Sequence, residues 1–151
     1  MMRYPHLVFA GAVIGVCCTV ARAVDAPLLS PGVSQRAKVN YLVHCAGCHL
    51  PDGHGSPGTV PDLREYLGQF AQHPDSRSFI ARVPGSSGSP LSNAELTEVL
   101  NWILVTMNGD QLHPDFKPYT EEEVARYRRD TLIDVGPVRQ ALIKTLAESA
   151  R

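Results

Sequence analysis

From Ser92 onward, apolar residues fall at Leu96, Val99, Leu100, Ile103, Leu104 and Met107. That three-and-four spacing lines one face of an α-helix. Ser92 and Glu95 stand three residues apart at its start, a capping box, and Asn108-Gly109 supplies the stop. A helix is also predicted over Val33 to His44, with Val33, Ala37, Tyr41 and Val43 toward a core. Leu63 to Gln72 and Ser76 to Val83 predict two short helices, divided by His73-Pro74. Thr120 and Glu123 form a second capping box that opens a charged helix to about Arg129, and a last helix is predicted from about Val138. Polar, Pro- and Gly-rich stretches separate these elements: a lead-in from Asp25 to Gly32, a loop from Gly47 to Asp62, a flexible loop from Pro84 to Pro90, and the proline-broken stretch Leu112 to Tyr119. No segment alternates with the period of a strand, and there is no internal repeat. The pattern is that of an all-α domain.

The N-terminus reads as an address. Arg3 and His6 precede the apolar run Leu7 to Val20, and Ala21-Arg22-Ala23 has the small-x-small pattern of a signal-peptidase site. A membrane span takes about 20 apolar residues, so the run is short for an anchor. Cleavage after Ala23 would leave 12 basic and 15 acidic side chains, a net of −3, in an exported, periplasmic protein. No cationic surplus is available for a nucleic-acid backbone. With 44% hydrophobic and 19% charged residues among 151, the chain has the make-up of one folded domain with a modest core.

Processing would also remove Cys17 and Cys18 and leave Cys45 and Cys48. These belong to Cys45-Ala46-Gly47-Cys48-His49. Thiols at i and i+3 share one face of a helical turn, the spacing that adds across two haem vinyl groups. The adjoining histidine then serves as proximal iron ligand, so the pentapeptide reads as attachment of one covalent haem c. Composition alone yields such a pattern roughly 0.004 times in a chain of this kind. A zinc site would need two more ligands at matching spacing, a thioredoxin-like pair wants a strand before its helix, and a disulfide here would close a very small loop.

The stretch from about Val33 to Met107 resembles the monohaem class I c-type cytochromes. Tyr41, four residues before the first thiol, is similar to the aromatic that packs the family's first helix on its last. Pro61-Asp62-Leu63 resembles the Pro-x-Leu whose prolyl carbonyl accepts a hydrogen bond from the ligating imidazole, orienting it. Leu91 to Leu96, leading into the helix with Trp102, is similar to the family's closing helix. The resemblance implies a cytochrome c-like helical domain over 33–108, after a signal peptide at 1–23 and a lead-in at 24–32, and followed by a helical extension at 109–151. It implies haem binding by Cys45, Cys48, His49 and Pro61, with His49 on the iron.

The distal side departs from that pattern. The methionine that usually precedes a proline before the last helix is replaced by Val83-Pro84. Met107, the one methionine left after processing, reads as a core filler. His44, His54 and His113 read as surface histidines, and His73, between two short helices, is the remaining candidate for a second iron ligand. An open or water-filled position is the alternative. The first functional reading is a carrier of single electrons between periplasmic redox proteins, not an enzyme. A second is an open-haem sensor or peroxidase-like protein, and a third is a haem subunit of a larger periplasmic dehydrogenase or oxidase, docked through the extension. The acidic run Glu121-Glu122-Glu123 reads as complementing a helix dipole rather than as a docking patch.

Overall fold

The computed structural model describes residues 30–151. The predicted signal peptide and most of the lead-in, including Cys17 and Cys18, lie outside the described residues. Among the described residues, eight α-helices follow in order: α1 (Pro31–His44), α2 (Ala46–His49), α3 (Leu67–Gln72), α4 (Phe79–Arg82), α5 (Pro84–Ser87), α6 (Asn93–Met107), α7 (Glu121–Tyr127) and α8 (Val135–Ser149), with a 3-10 turn at Gly109–Gln111 before α7. Among the described residues the only β-pairing is an isolated bridge between Ser56 and Val60. The fold is all-α and cytochrome c-like.

The core forms where α1 crosses α6. Ala37 and Tyr41 of α1 are fully buried, and the small Ala37 side chain allows close approach. Tyr41 meets Trp102 of α6 with ring centroids 5.3 Å apart. Arg36 pairs with Glu98 across the same crossing. Val43, predicted to face inward, is 68% exposed. α6 carries Leu96, Val99, Leu100, Ile103 and Leu104 into this core, and both halves of the Ser92–Glu95 capping box form.

Along the chain, the short helices lie between these two. The α3 backbone approaches the end of α6 at Gly68, whose N–H donates to buried Asn108 Oδ1 at 3.2 Å. A Cβ on Gly68 would lie 2.8 Å from Gln111 Cβ, so only glycine permits this packing. α3 begins at Leu67, not Leu63, because residues 63–66 are used in turns. The Pro84 segment is not the flexible loop its composition suggests. Pro84 takes the first position of α5, where its missing N–H costs nothing, and the Val83 carbonyl accepts from Ser86 and Ser87 at 2.9 Å. Arg128 then fastens the following residues, donating to the carbonyls of Ser87, Ser89 and Leu91 at 3.2, 2.6 and 2.8 Å.

The segment after Asn108 is built into the same body. Tyr119 and Val124 are 1% and 0% exposed and pack with α6. The Asn101 side chain acts as a surrogate backbone for Tyr119, donating to its carbonyl at 3.0 Å and accepting from its N–H at 2.8 Å. The Thr120–Glu123 capping box starts α7, and Arg77 spans the junction through Glu123, with both N···O distances 2.9 Å. α8 begins at Val135, three residues before the predicted start. With Leu132 it packs Val135, Val138, Leu142, Ile143 and Leu146 against Phe70 and Phe79, a second and smaller core.

Candidate haem site

The pentapeptide sits where α1 gives way to α2. Cys48 and His49 both donate backbone N–H groups to the Cys45 carbonyl, at 3.1 and 3.0 Å, closing a single helical turn. Both thiols are free, Cys45 half-buried and Cys48 exposed. Burial pushes the Cys45 thiol above its ordinary pKa. The chain leaves this turn through Leu50 at φ +54°, a left-handed conformation rare for a branched side chain. The fully buried Tyr41 holds it there: its hydroxyl donates to the Leu50 carbonyl at 2.6 Å. Burial, reinforced by the Asp52 charge, pushes the phenol up to about 12, so it remains a donor at any physiological pH.

His49 Nδ1 lies 3.1 Å from the Pro61 carbonyl oxygen. A carbonyl can only accept, so Nδ1 carries the proton and Nε2 keeps its lone pair. Burial lowers the imidazole pKa, partly offset by the Pro61 bond and the Asp62 charge, and a neutral imidazole is the form that binds metal.

The Pro61 carbonyl is positioned by a tightly folded loop. A Cβ on Gly55 would fall 2.0 Å from the Val60 oxygen and 2.6 Å from the Pro61 carbonyl carbon. No other residue permits that approach, and nothing in the local sequence marked Gly55 among its neighbouring glycines. Asp62 braces the turn: Oδ2 accepts from His54 at 2.6 Å and Oδ1 from the Arg64 N–H at 2.7 Å. Desolvation pushes the Asp62 carboxyl up, but these hydrogen bonds outweigh it and hold the pKa below its ordinary value.

Cys45, Cys48 and His49 open onto one cavity of about 400 Å³, within the range of small-molecule and cofactor sites. Its walls are mainly hydrocarbon: Leu67, Phe70, Ile80 and Val83 from the short helices, Leu100 and Ile103 from α6. Two thiols on the wall, a histidine with one free nitrogen and an apolar interior fit a covalently held haem. Among the described residues no three His, Cys, Asp or Glu side chains gather as a separate metal site. The cavity also receives Val135 and Arg139 from α8. Neither has a sequence signal pointing to the site, because they reach it only through tertiary packing.

The other candidates lie elsewhere. His73 is at the end of α3, with Nδ1 3.9 Å from an Asp75 carboxylate oxygen, and does not line the cavity. Met107 packs on the main core. His54 is paired with Asp62 and His113 stands beside Asp115, whereas His44, although exposed, lines the cavity from the end of α1.

Two known proteins are similar in sequence. A cytochrome c-552 of Thermus thermophilus is 29% identical over 131 residues, covering 74% of this chain and 88% of its own length. A second Thermus thermophilus cytochrome c-552 is 29% identical over 106 residues, covering 58% of this chain and 81% of its own. The likeness is to c-type cytochromes. The first match covers more of the chain than 33–108 contains, so it extends beyond the segment that carries the motif resemblance. No family model matches the chain, and no solved structure matches it. Among the described residues no helix is long and apolar enough to cross a membrane.

Proposed function

We propose that this protein is an exported electron carrier with one haem c, bound through thioethers to Cys45 and Cys48 and ligated by His49. The observation that carries this reading is the convergence of both thiols and a Pro61-oriented imidazole on one apolar cavity. The likeness to two cytochromes named c-552 supports it from outside the structure.

When bound, the haem supplies the one-electron couple. The chain's share is tethering, orientation and exclusion of water. The α2 turn holds the thiols adjacent, Pro61 fixes which imidazole nitrogen faces the iron, and the hydrocarbon wall keeps the local dielectric low. In this reading the protein exchanges single electrons with periplasmic redox proteins by outer-sphere transfer. The extension after Asn108 is part of the cavity wall in this reading, through Val135 and Arg139.

Expression with a haem-attachment system tests this directly. The protein should keep its colour on a denaturing gel, and Cys45→Ala with Cys48→Ala should abolish that colour. A doubly substituted protein that retains haem under denaturation would refute the attachment.

A further inference from the structure

A haem held by Cys45, Cys48 and His49 has a second axial position, and this inference rests on that attachment. Among the described residues, Met107 and most of the histidines able to bind iron there are held elsewhere. A Cβ on Gly53 would meet Met107 Sδ at 2.7 Å, so the thioether is packed against the Gly53 backbone. His73, His54 and His113 are outside the cavity lining. His44 is exposed and immediately precedes Cys45, on the segment that also delivers His49. Residues 24–29 contain no His, Met, Cys or Lys. Val83 and Val135, which do line the cavity, offer iron nothing; of the oxygen donors that line it, Asp62 is engaged by His54 and the Arg64 N–H, and Tyr66 is stacked on Phe70 with ring centroids 6.1 Å apart.

One cation faces this apolar space. Arg139 reaches the cavity from α8, with its side chain 17% exposed. One Nη donates to Glu65 at 3.2 Å, and the guanidinium carbon lies 5.3 Å from the Tyr66 ring centroid. A carboxylate and an aromatic face thus fix its direction, while a single guanidinium N–H is engaged in that ion pair. In a hydrocarbon cavity an anion needs such a charged donor. We propose that the second axial position is a binding site for a small external anion, with Arg139 donating a hydrogen bond to it.

The test uses the intact holoprotein, with carbon monoxide for the ferrous state and azide for the ferric state. Carbon monoxide should shift the Soret band at once. If the haem stays attached on a denaturing gel yet neither probe shifts the spectrum, the site is closed and the proposal fails while the attachment stands. If the haem is lost on the gel, the attachment itself fails. Arg139→Gln should weaken azide about tenfold, the scale of one charge-assisted hydrogen bond, and barely affect uncharged carbon monoxide. Arg139→Lys should recover part of that affinity, which separates charge from packing. Unchanged azide affinity in Arg139→Gln would overturn the role given to Arg139. Carbon monoxide binding confined to Tyr66→Phe would show a phenolate ligand and overturn the open site.

Discussion

Helices α6 and α8 are each 15 residues long, yet they differ sharply in burial and capping. α6 buries seven residues and begins with a complete capping box. α8 buries none, and Asp134 makes no capping bond with its side chain. Both line the same cavity, α6 through Leu96 to Ile103 and α8 through Val135 and Arg139. One wall is therefore core and the other is cover. Local opening is easiest where few apolar contacts must be broken, so the cavity has a firm side and a yielding side.

The contrast can be broken first at its strong end. Leu104 is 0% exposed, and Leu104→Ala should cost about 3 kcal/mol through lost transfer energy and an unfilled cavity. Guanidinium unfolding of the holoprotein measures this, and a loss under about 1 kcal/mol would mean that the α6 face is not core.

Glu123→Gln sharpens the boundary between the two regions. Its carboxyl is held below the ordinary glutamate pKa, first by the hydrogen bond from Arg77. A lowered folded-state pKa means a stabilisation fully present above the unfolded value of about 4.3, and lost as pH falls through the lower folded one. The substitution should cost about 2 kcal/mol at neutral pH, and the gap from the native protein should close under acid. A gap that does not change with pH would detach α7 from the core side.

The smallest effect belongs to α8. Leu142 is only half-buried in the second core, and Leu142→Ala should cost about 1 kcal/mol. A loss equal to that of Leu104→Ala would erase the contrast.

What the sequence shows here follows the range of the interactions. The α6 and α7 capping boxes are legible because both partners lie within one turn, and the pentapeptide is legible because its spacing is itself the chemistry. Val43 misleads because helical spacing does not say how wide the buried stripe is. Pro84 to Ser87 looks like loop because Gly and Ser hide a turn that Pro84 starts and Arg128 secures from about 40 positions away. The packing of Tyr119 on Asn101 and the entry of Arg139 into the cavity are tertiary events with no local signal. His73 is a candidate ligand by sequence because it sits between two short helices, and only the tertiary packing shows that it lies outside the cavity lining.

The reciprocal bonds between Asn101 and Tyr119 have a mechanical consequence. They join an otherwise irregular stretch to the middle of α6 by two parallel hydrogen bonds, as a rung joins two rails. Tension applied at the C-terminus would peel α8 away without loading that rung. The pull would next meet Leu132 and Arg128, bonded to Arg82 and to Ser87, Ser89 and Leu91, then the Arg77–Glu123 clasp, and Tyr119 only after it. The chain therefore yields in stages, and the stretch that carries Cys45, Cys48 and His49 is loaded last.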